Sequence, residues 1–302
     1  MTKILILGAA AGGGVPQWNC GCDNCRDARS GVLDIGGNQA SVAISSDGEH
    51  WFLINASPDL RQQIANTPAL WPKPDLKRHS PIAGVILTNG EIDAITGLLT
   101  LREGSPFTLY AHDRVLSILR ANSIFNALKP ENVGRKAISV GETFALALPD
   151  GQPSGLEVLA FAAPGKTALF LEDSDENAEG DTLGLVVTDQ SSGSRMVFLA
   201  ACAAITDDLL RLIDGADAVF FDGTLWRDDE MVAQGLSAKT GQRMGHIAMS
   251  QVIPALSETP IGKKFFLHIN NSNPALRPDS DERKTMEAAG WSIPAEGTEI
   301  SL

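Results

Sequence analysis

The chain has 302 residues, 43% of them hydrophobic, enough for a sizeable core. Its net charge of −13, from 24 basic and 37 acidic residues, argues against a general binder of nucleic acid or anionic membrane surfaces. No run approaches the roughly eighteen apolar residues of a membrane-spanning helix, so direct membrane insertion is not expected.

Residues 4–7 read as a short buried strand ending at Gly8. The apolar run is too short for a signal peptide, and glycines and cysteines follow at once, so a cytoplasmic location is expected. The turn from Ala9 to Gly14 invites a dinucleotide-binding reading. Its spacing is not G-x-G-x-x-G, however, and Pro16 and a cysteine cluster replace the expected helix. That cluster, Cys20-Gly21-Cys22-Asp23-Asn24-Cys25, holds three of the four cysteines in a C-x-C-x-x-C pattern. Disulfide pairing would leave one thiol over, whereas three thiolates in a tight loop can converge on one zinc ion, a fourth ligand coming from elsewhere. A metal with reduced thiols fits a reducing compartment.

Further strands are expected at 40–44, 51–55, 82–87, 107–111, 156–161, 183–188, 196–200, 218–222 and 264–269, from alternating or continuous apolar runs. Helices are expected at 58–65, 92–101, 113–127, 207–213, 247–256 and 281–289. Pro58 suits a first turn, and Asp113, Thr206 and Ser280 suit helix caps. The acidic stretch Glu172, Asp173, Asp175, Glu176, Glu179 and Asp181 reads as a solvated loop. With no repeat, linker or low-complexity tract, residues 1–302 form one domain, in which two packed sheets with helices outside would accommodate the element order.

Several strands end in polar residues that could share a cavity. The first runs into Thr88-Asn89-Gly90-Glu91-Ile92-Asp93, where Asp93 reads equally as a helix cap or a site residue. A second ends at Asp222-Gly223-Thr224. His246 opens a helix, and His268 follows an apolar strand into an Asn-rich turn. Two such histidines with two strand-end carboxylates favour a site. His50, His79 and His112 read as surface residues. Cys202, alone in an apolar run, reads as an inert buried thiol. Arg102, Lys239 and Arg243 could pair with an anionic substrate.

The segments Val15-Pro16-Gln17-Trp18-Asn19-Cys20, Asn55-Ala56-Ser57-Pro58-Asp59, Phe221-Asp222-Gly223-Thr224-Leu225, Met244-Gly245-His246 and His268-Ile269-Asn270-Asn271 together closely resemble the PqqB family. These are the B proteins of pyrroloquinoline quinone (PQQ) biosynthesis, within the metallo-β-lactamase superfamily. The likeness runs along essentially the whole chain. It implies an α/β fold, a four-layer αββα sandwich with its site at strand ends on one edge. The superfamily's H-x-H-x-D-H motif reads Asn89-Gly90-Glu91-Ile92-Asp93-Ala94 here. Ala94 stands where PqqB-like chains keep a histidine. The bridging aspartate position falls near Ala201, and another ligand position falls near Lys166. A two-zinc hydrolase site therefore lacks its ligands.

The resemblance further implies iron-dependent, oxygen-using hydroxylation of a PQQ precursor, a cross-linked Glu–Tyr diamino acid. Asp93 and His268, with His246 as a further candidate, would hold ferrous iron with coordination positions left open. His246 takes the position of a proton donor in related phosphodiesterases, and Asp222 would orient a ligand. In those relatives a late histidine closes the three-cysteine zinc. Asn271 stands at that position here, where its amide oxygen would be a poor ligand and a water or a nearby aspartate could substitute. The alternative function is a non-catalytic protein that carries PQQ or its precursor and assists transport to the periplasm. Other PQQ-biosynthesis proteins are possible partners.

Overall fold

The computed structural model describes residues 1–164 and 180–302. Fourteen strands occur among them: β1 (Lys3–Gly8), β2 (Ser41–Ser45), β3 (Trp51–Ile54), β4 (Ile82–Ile86), β5 (Phe107–His112), β6 (Val133–Ile138), β7 (Thr143–Ala147), β8 (Pro153–Ala162), β9 (Leu183–Asp189), β10 (Arg195–Leu199), β11 (Ala216–Asp222), β12 (Ile261–Leu267), β13 (Trp291–Ser292) and β14 (Glu299–Ser301). The helices are α1 (Asp23–Ser30), α2 (Leu60–Ala65), α3 (Ile92–Ile95), α4 (Asp113–Ala121), α5 (Asp207–Ile213), α6 (Glu230–Ala233), α7 (Gly241–Met244), α8 (Met249–Ala255) and α9 (Asp281–Ala288).

The strands form two seven-stranded sheets, ordered β14-β1-β2-β3-β4-β5-β6 and β13-β12-β11-β10-β9-β8-β7. Strand alternation builds the layers. On β11, Ala218 and Phe220 enter the core between the sheets, where Ile4, Ile44, Phe52 and Phe198 also pack. Val219 and Phe221 face the other way, onto Leu209 and Ile213 of α5 and Met249 and Val252 of α8. Across the molecule, Val85 of β4 and Leu109 of β5 pack outward in the cluster that holds Val115 and Leu119 of α4. The result is the expected αββα sandwich with three stacked apolar layers.

All ten strands expected from sequence occur. Those not expected lie mainly at sheet edges. β6 is buried only at Val133 and Ile138, with four exposed residues between, so it carries no apolar run. Helix α4 corrects a cap assignment. Asp113 is its first residue, and His112 is the cap, extended at φ −61° and ψ 149°, its side chain accepting from the Arg114 N–H. Asp181 corrects another reading. It is buried and pairs with Arg114 instead of lying in a solvated loop. The acidic residues from Glu172 to Glu179, and Lys166, lie outside the described residues. No helix among the described residues is long and apolar enough to cross a membrane.

Candidate metal and active site

Parallel strands share one C-terminal edge, and the candidate site is assembled there. In the second sheet β10, β11 and β12 run parallel, with Asp222 beside Leu267 in register. His268 is therefore the next residue along from a strand whose neighbour ends at Asp222. In the first sheet β4 ends at Ile86. The loop after it is pinned by Asn55, which sits in the left-handed region at φ 62°. The Asn55 amide brackets Thr88: Nδ2 donates to Thr88 Oγ1 at 2.9 Å, and the Thr88 N–H donates to Oδ1 at 2.9 Å. The cap of α3 is Glu91, which leaves Asp93 free for the site. The sequence 92–101 is α-helical only to Ile95 and continues as a 3-10 helix over Thr96–Leu101.

Asp93 Oδ2 lies 2.9 Å from His268 Nε2, joining residues 175 apart in sequence. Burial pushes both groups toward their neutral forms, but each charge favours its partner more. His268 holds the Asp93 carboxyl below its ordinary value, and Asp93 raises the His268 imidazole above its own. His268 is also one of two non-glycine residues at positive φ among the described residues, at 59°. Such backbone costs about 1–3 kcal/mol and persists only where surroundings over-determine it. Here they do: its ring is held at both nitrogens, and Ile269 is clamped by backbone bonds with Ala9 and Ala11. Gly12 packs against the same carboxylate, and a Cβ there would stand 3.3 Å from Asp93 Oδ2.

Asp222 is fully buried and accepts four hydrogen bonds. Oδ1 takes the Thr224 N–H at 3.0 Å and the Thr224 hydroxyl at 2.7 Å. Oδ2 takes the Cys202 N–H at 2.9 Å and His246 Nδ1 at 2.7 Å. The His246 and His268 rings stack with centroids 5.2 Å apart. His246 lies in the loop between α7 and α8; the latter begins at Met249, two residues later than the sequence suggested. Asp93, Thr224, His246 and His268 border a cavity of about 790 Å³, lined also by Gln39, Glu91, Lys239 and Met244. Lys239 is thus at the site, whereas Arg102 and Arg243 are exposed and do not line it. His50 pairs with Asp47, and His79 accepts from the Lys73 N–H. Cys202 is buried, its thiol pushed up to about 12 by burial and by Asp222, as an inert thiol should be.

Which groups fit a metal follows from what each donor already does. Donor atoms of Asp222, His246 and His268 gather within 4.8 Å of one another. Both Asp222 oxygens are filled by hydrogen bonds, however, so Asp222 holds side chains in place. Asp93 Oδ2 and His268 Nε2 do fit as a ligand pair. With metal–donor bonds of about 2.1 Å, ligands at a right angle lie about 3.0 Å apart and tetrahedral ligands about 3.4 Å. The observed 2.9 Å is also an ordinary hydrogen-bond distance, and a carboxylate with an imidazole is a donor pair that zinc and ferrous iron both accept. His246 stands beside this pair: its ring stacks on His268, its Nδ1 is committed to Asp222, and it offers a donor atom within 4.8 Å of those of Asp222 and His268. Ala94 is buried in the apolar layer under α4 and offers no donor.

The cysteine cluster forms as the spacing suggested. The sulfurs of Cys20, Cys22 and Cys25 lie within 4.8 Å of one another, at the start of α1. Backbone N–H groups of Cys22 and Gln17 donate to Cys20 and Cys25 sulfur at 3.4 and 3.3 Å. Burial pushes the Cys25 thiol up to about 11, with Cys22 adding to it, so three thiolates need a cation to coexist. Asn271 closes the group, but its amide nitrogen, not its oxygen, faces the sulfurs, at 3.1, 3.5 and 3.3 Å from Cys20, Cys22 and Cys25. An amide nitrogen donates to thiolate and cannot ligate. A half-turn of the amide exchanges the two atoms in place and would present Oδ1 instead. The donor set thus fits one zinc ion, with Asn271 as its fourth neighbour.

Thr224 stands between Asp222 and both imidazoles, a place that no motif above assigns to it. The signal was present: in Asp222-Gly223-Thr224, residues two apart leave an extended strand on one face.

A β-lactamase superfamily domain model matches residues 50–269. The coenzyme PQQ synthesis protein B of Bradyrhizobium diazoefficiens is 60% identical over 309 residues, covering 100% of both chains. That of Gluconacetobacter diazotrophicus is 50% identical over 310 residues, again covering 100% of both. Among solved structures, Zn2+-bound PqqB from Methylobacterium extorquens matches with a TM-score of 0.93 at 45% identity, covering 99% of this chain and 100% of that one. A diphosphatase of the PhnP family shares the fold, with a TM-score of 0.70 at 18% identity over 99% of this chain and 96% of that one.

Proposed function

The chain belongs to the coenzyme PQQ synthesis protein B family of the β-lactamase superfamily, and on that premise we propose that it hydroxylates a cross-linked Glu–Tyr precursor of PQQ with dioxygen. Its role is in PQQ biosynthesis. The observation that carries the finer reading is the pairing of Asp93 Oδ2 with His268 Nε2 on the wall of the 790 Å³ cavity.

Asp93 and His268 would hold a ferrous ion there, and Cys20, Cys22, Cys25 and Asn271 would hold a structural zinc. When bound, ferrous iron supplies the one-electron chemistry that lets dioxygen react with an aromatic ring. The cavity is large enough for a two-residue substrate. Lys239 offers an ammonium to one of its carboxylates. His246 moves a proton: with Nδ1 held by Asp222, its Nε2 is the atom available to the cavity. Asp222 fixes that ring orientation. Hydroxylation places one oxygen atom of dioxygen on a ring carbon and reduces the other to water, with two electrons from an external reductant.

One observation favours the carrier reading as the alternative. Residues 89, 91 and 94 are Asn, Glu and Ala, so none of them supplies the imidazole that the superfamily motif carries at these positions. Turnover separates the two readings. The protein loaded with ferrous iron, given precursor and ascorbate in an oxygen electrode, should consume dioxygen only when precursor is present. Tight precursor binding with no precursor-dependent oxygen uptake would establish the carrier.

A further inference from the structure

The hydrogen bonds around Asp222 leave Thr224 a specific task. An ionised aspartate only accepts hydrogen bonds. At 2.7 Å from Asp222 Oδ1, the Thr224 hydroxyl must spend its single proton there. Its oxygen can then only accept, and two imidazole nitrogens face it: His268 Nδ1 at 2.8 Å and His246 Nδ1 at 3.1 Å. His246 Nδ1 is closer to Asp222 Oδ2, at 2.7 Å, and gives its proton chiefly there. The bond left for Thr224 Oγ1 is the Nδ1–H of His268.

We infer that Thr224 is a positioning residue: its hydroxyl, oriented by Asp222, holds His268 with Nδ1 protonated and turns the Nε2 lone pair onto Asp93 for a bound cation. With a cation between His268 Nε2 and Asp93 Oδ2, each of the contacts that link Asp222, Thr224, His268 and Asp93 joins a donor or cation to an acceptor. With a neutral imidazole and no cation, two acceptors face each other, either at the 2.9 Å His268–Asp93 contact or at the 2.7 Å Thr224–Asp222 contact. The circuit therefore favours a positive charge at that one point. Thr224 is buried, so no water replaces its hydroxyl without rearrangement.

The inference rests on the reading of Asp93 and His268 as metal ligands, and its test separates the two. Thr224→Val keeps shape and removes the hydroxyl; Thr224→Ser keeps the hydroxyl. Ferrous iron affinity, measured by anaerobic equilibrium dialysis, should fall about 10- to 100-fold in Thr224→Val and stay within about threefold of the parent in Thr224→Ser. Proton NMR of the metal-free protein gives an independent readout. Two slowly exchanging imidazole Nδ1–H signals are expected in the parent and in Thr224→Ser, and one in Thr224→Val. If Thr224→Val keeps both signals and, where the parent binds iron, the parent's affinity, the inference is wrong. If the parent binds no iron beside its zinc, the ligand reading fails, and the NMR signals alone decide the role of Thr224.

Discussion

His268→Ala is expected to lower precursor hydroxylation by about 1,000-fold or more, with iron retention lost and the fold intact. The effect is large because one side chain carries three tasks. Its Nε2 pairs with Asp93, its Nδ1 meets Thr224, and its ring stacks on His246. Removing it leaves the Asp93 carboxylate without its partner and the Thr224 hydroxyl without its imidazole donor. Losses of this order are typical when a group acting in the reaction is removed, and effects within one network do not add. Asp93→Ala should therefore cost about as much, and the double variant little more. Precursor affinity should change only a few-fold, since Lys239 lies elsewhere on the cavity wall. The check is a comparison of kcat, KM and iron content for the three variants. Retention of more than a tenth of the parent kcat in His268→Ala would place the chemistry elsewhere.

The second large effect is expected at the cysteine cluster. Cys25→Ser should drop zinc from about one per chain to a trace and lower Tm by several degrees or more, since binding energy at a structural zinc is folding energy. Cys25 is fully buried and accepts from both the Gln17 N–H and the Asn271 amide. A serine hydroxyl there stays protonated and cannot replace the thiolate. Helix α1 should stay docked, because Asn24 still donates to the Asn271 and Asn273 carbonyls and Arg277 still pairs with Asp27. The damage should instead pass along the chain. Asn271 is three residues from His268, whose unusual backbone depends on that turn, so iron affinity should fall together with zinc content. Metal analysis and thermal unfolding of the same sample test this. Unchanged zinc and an unchanged Tm would mean that the cluster is not the zinc site.

How far the sequence could be read depended on where the signal lay. The buried strands were legible because runs such as Val219-Phe220-Phe221 carry their own apolar pattern. β6 was not, because Gly134, Arg135, Lys136 and Ala137 are exposed, and it is a strand only through its pairing with β5. His112 was passed over as a cap because histidine ranks low there; the extended backbone at the end of β5 made it one. Asp181 looked like one more charge in an acidic run, and only the fold supplied Arg114.

At the site, the residue types were legible as strand-end polar groups. Their pairing was not. Nothing local couples Asp93 to His268 across 175 positions. Asp93 is not the cap of α3, because Glu91 takes that position. Asn271 was reached through a family resemblance, but which amide atom faces the sulfurs is a matter of hydrogen bonding that no motif records.

In the proposed reaction, dioxygen is the source of the new ring oxygen. The most direct test is a single turnover of iron-loaded protein with precursor and ascorbate under isotopically heavy dioxygen in ordinary water, read by mass spectrometry of the product. One heavy oxygen atom per hydroxyl formed is the predicted result. Recovery of unmodified precursor from protein that binds it and retains its iron, or a product carrying only light oxygen, would contradict the account.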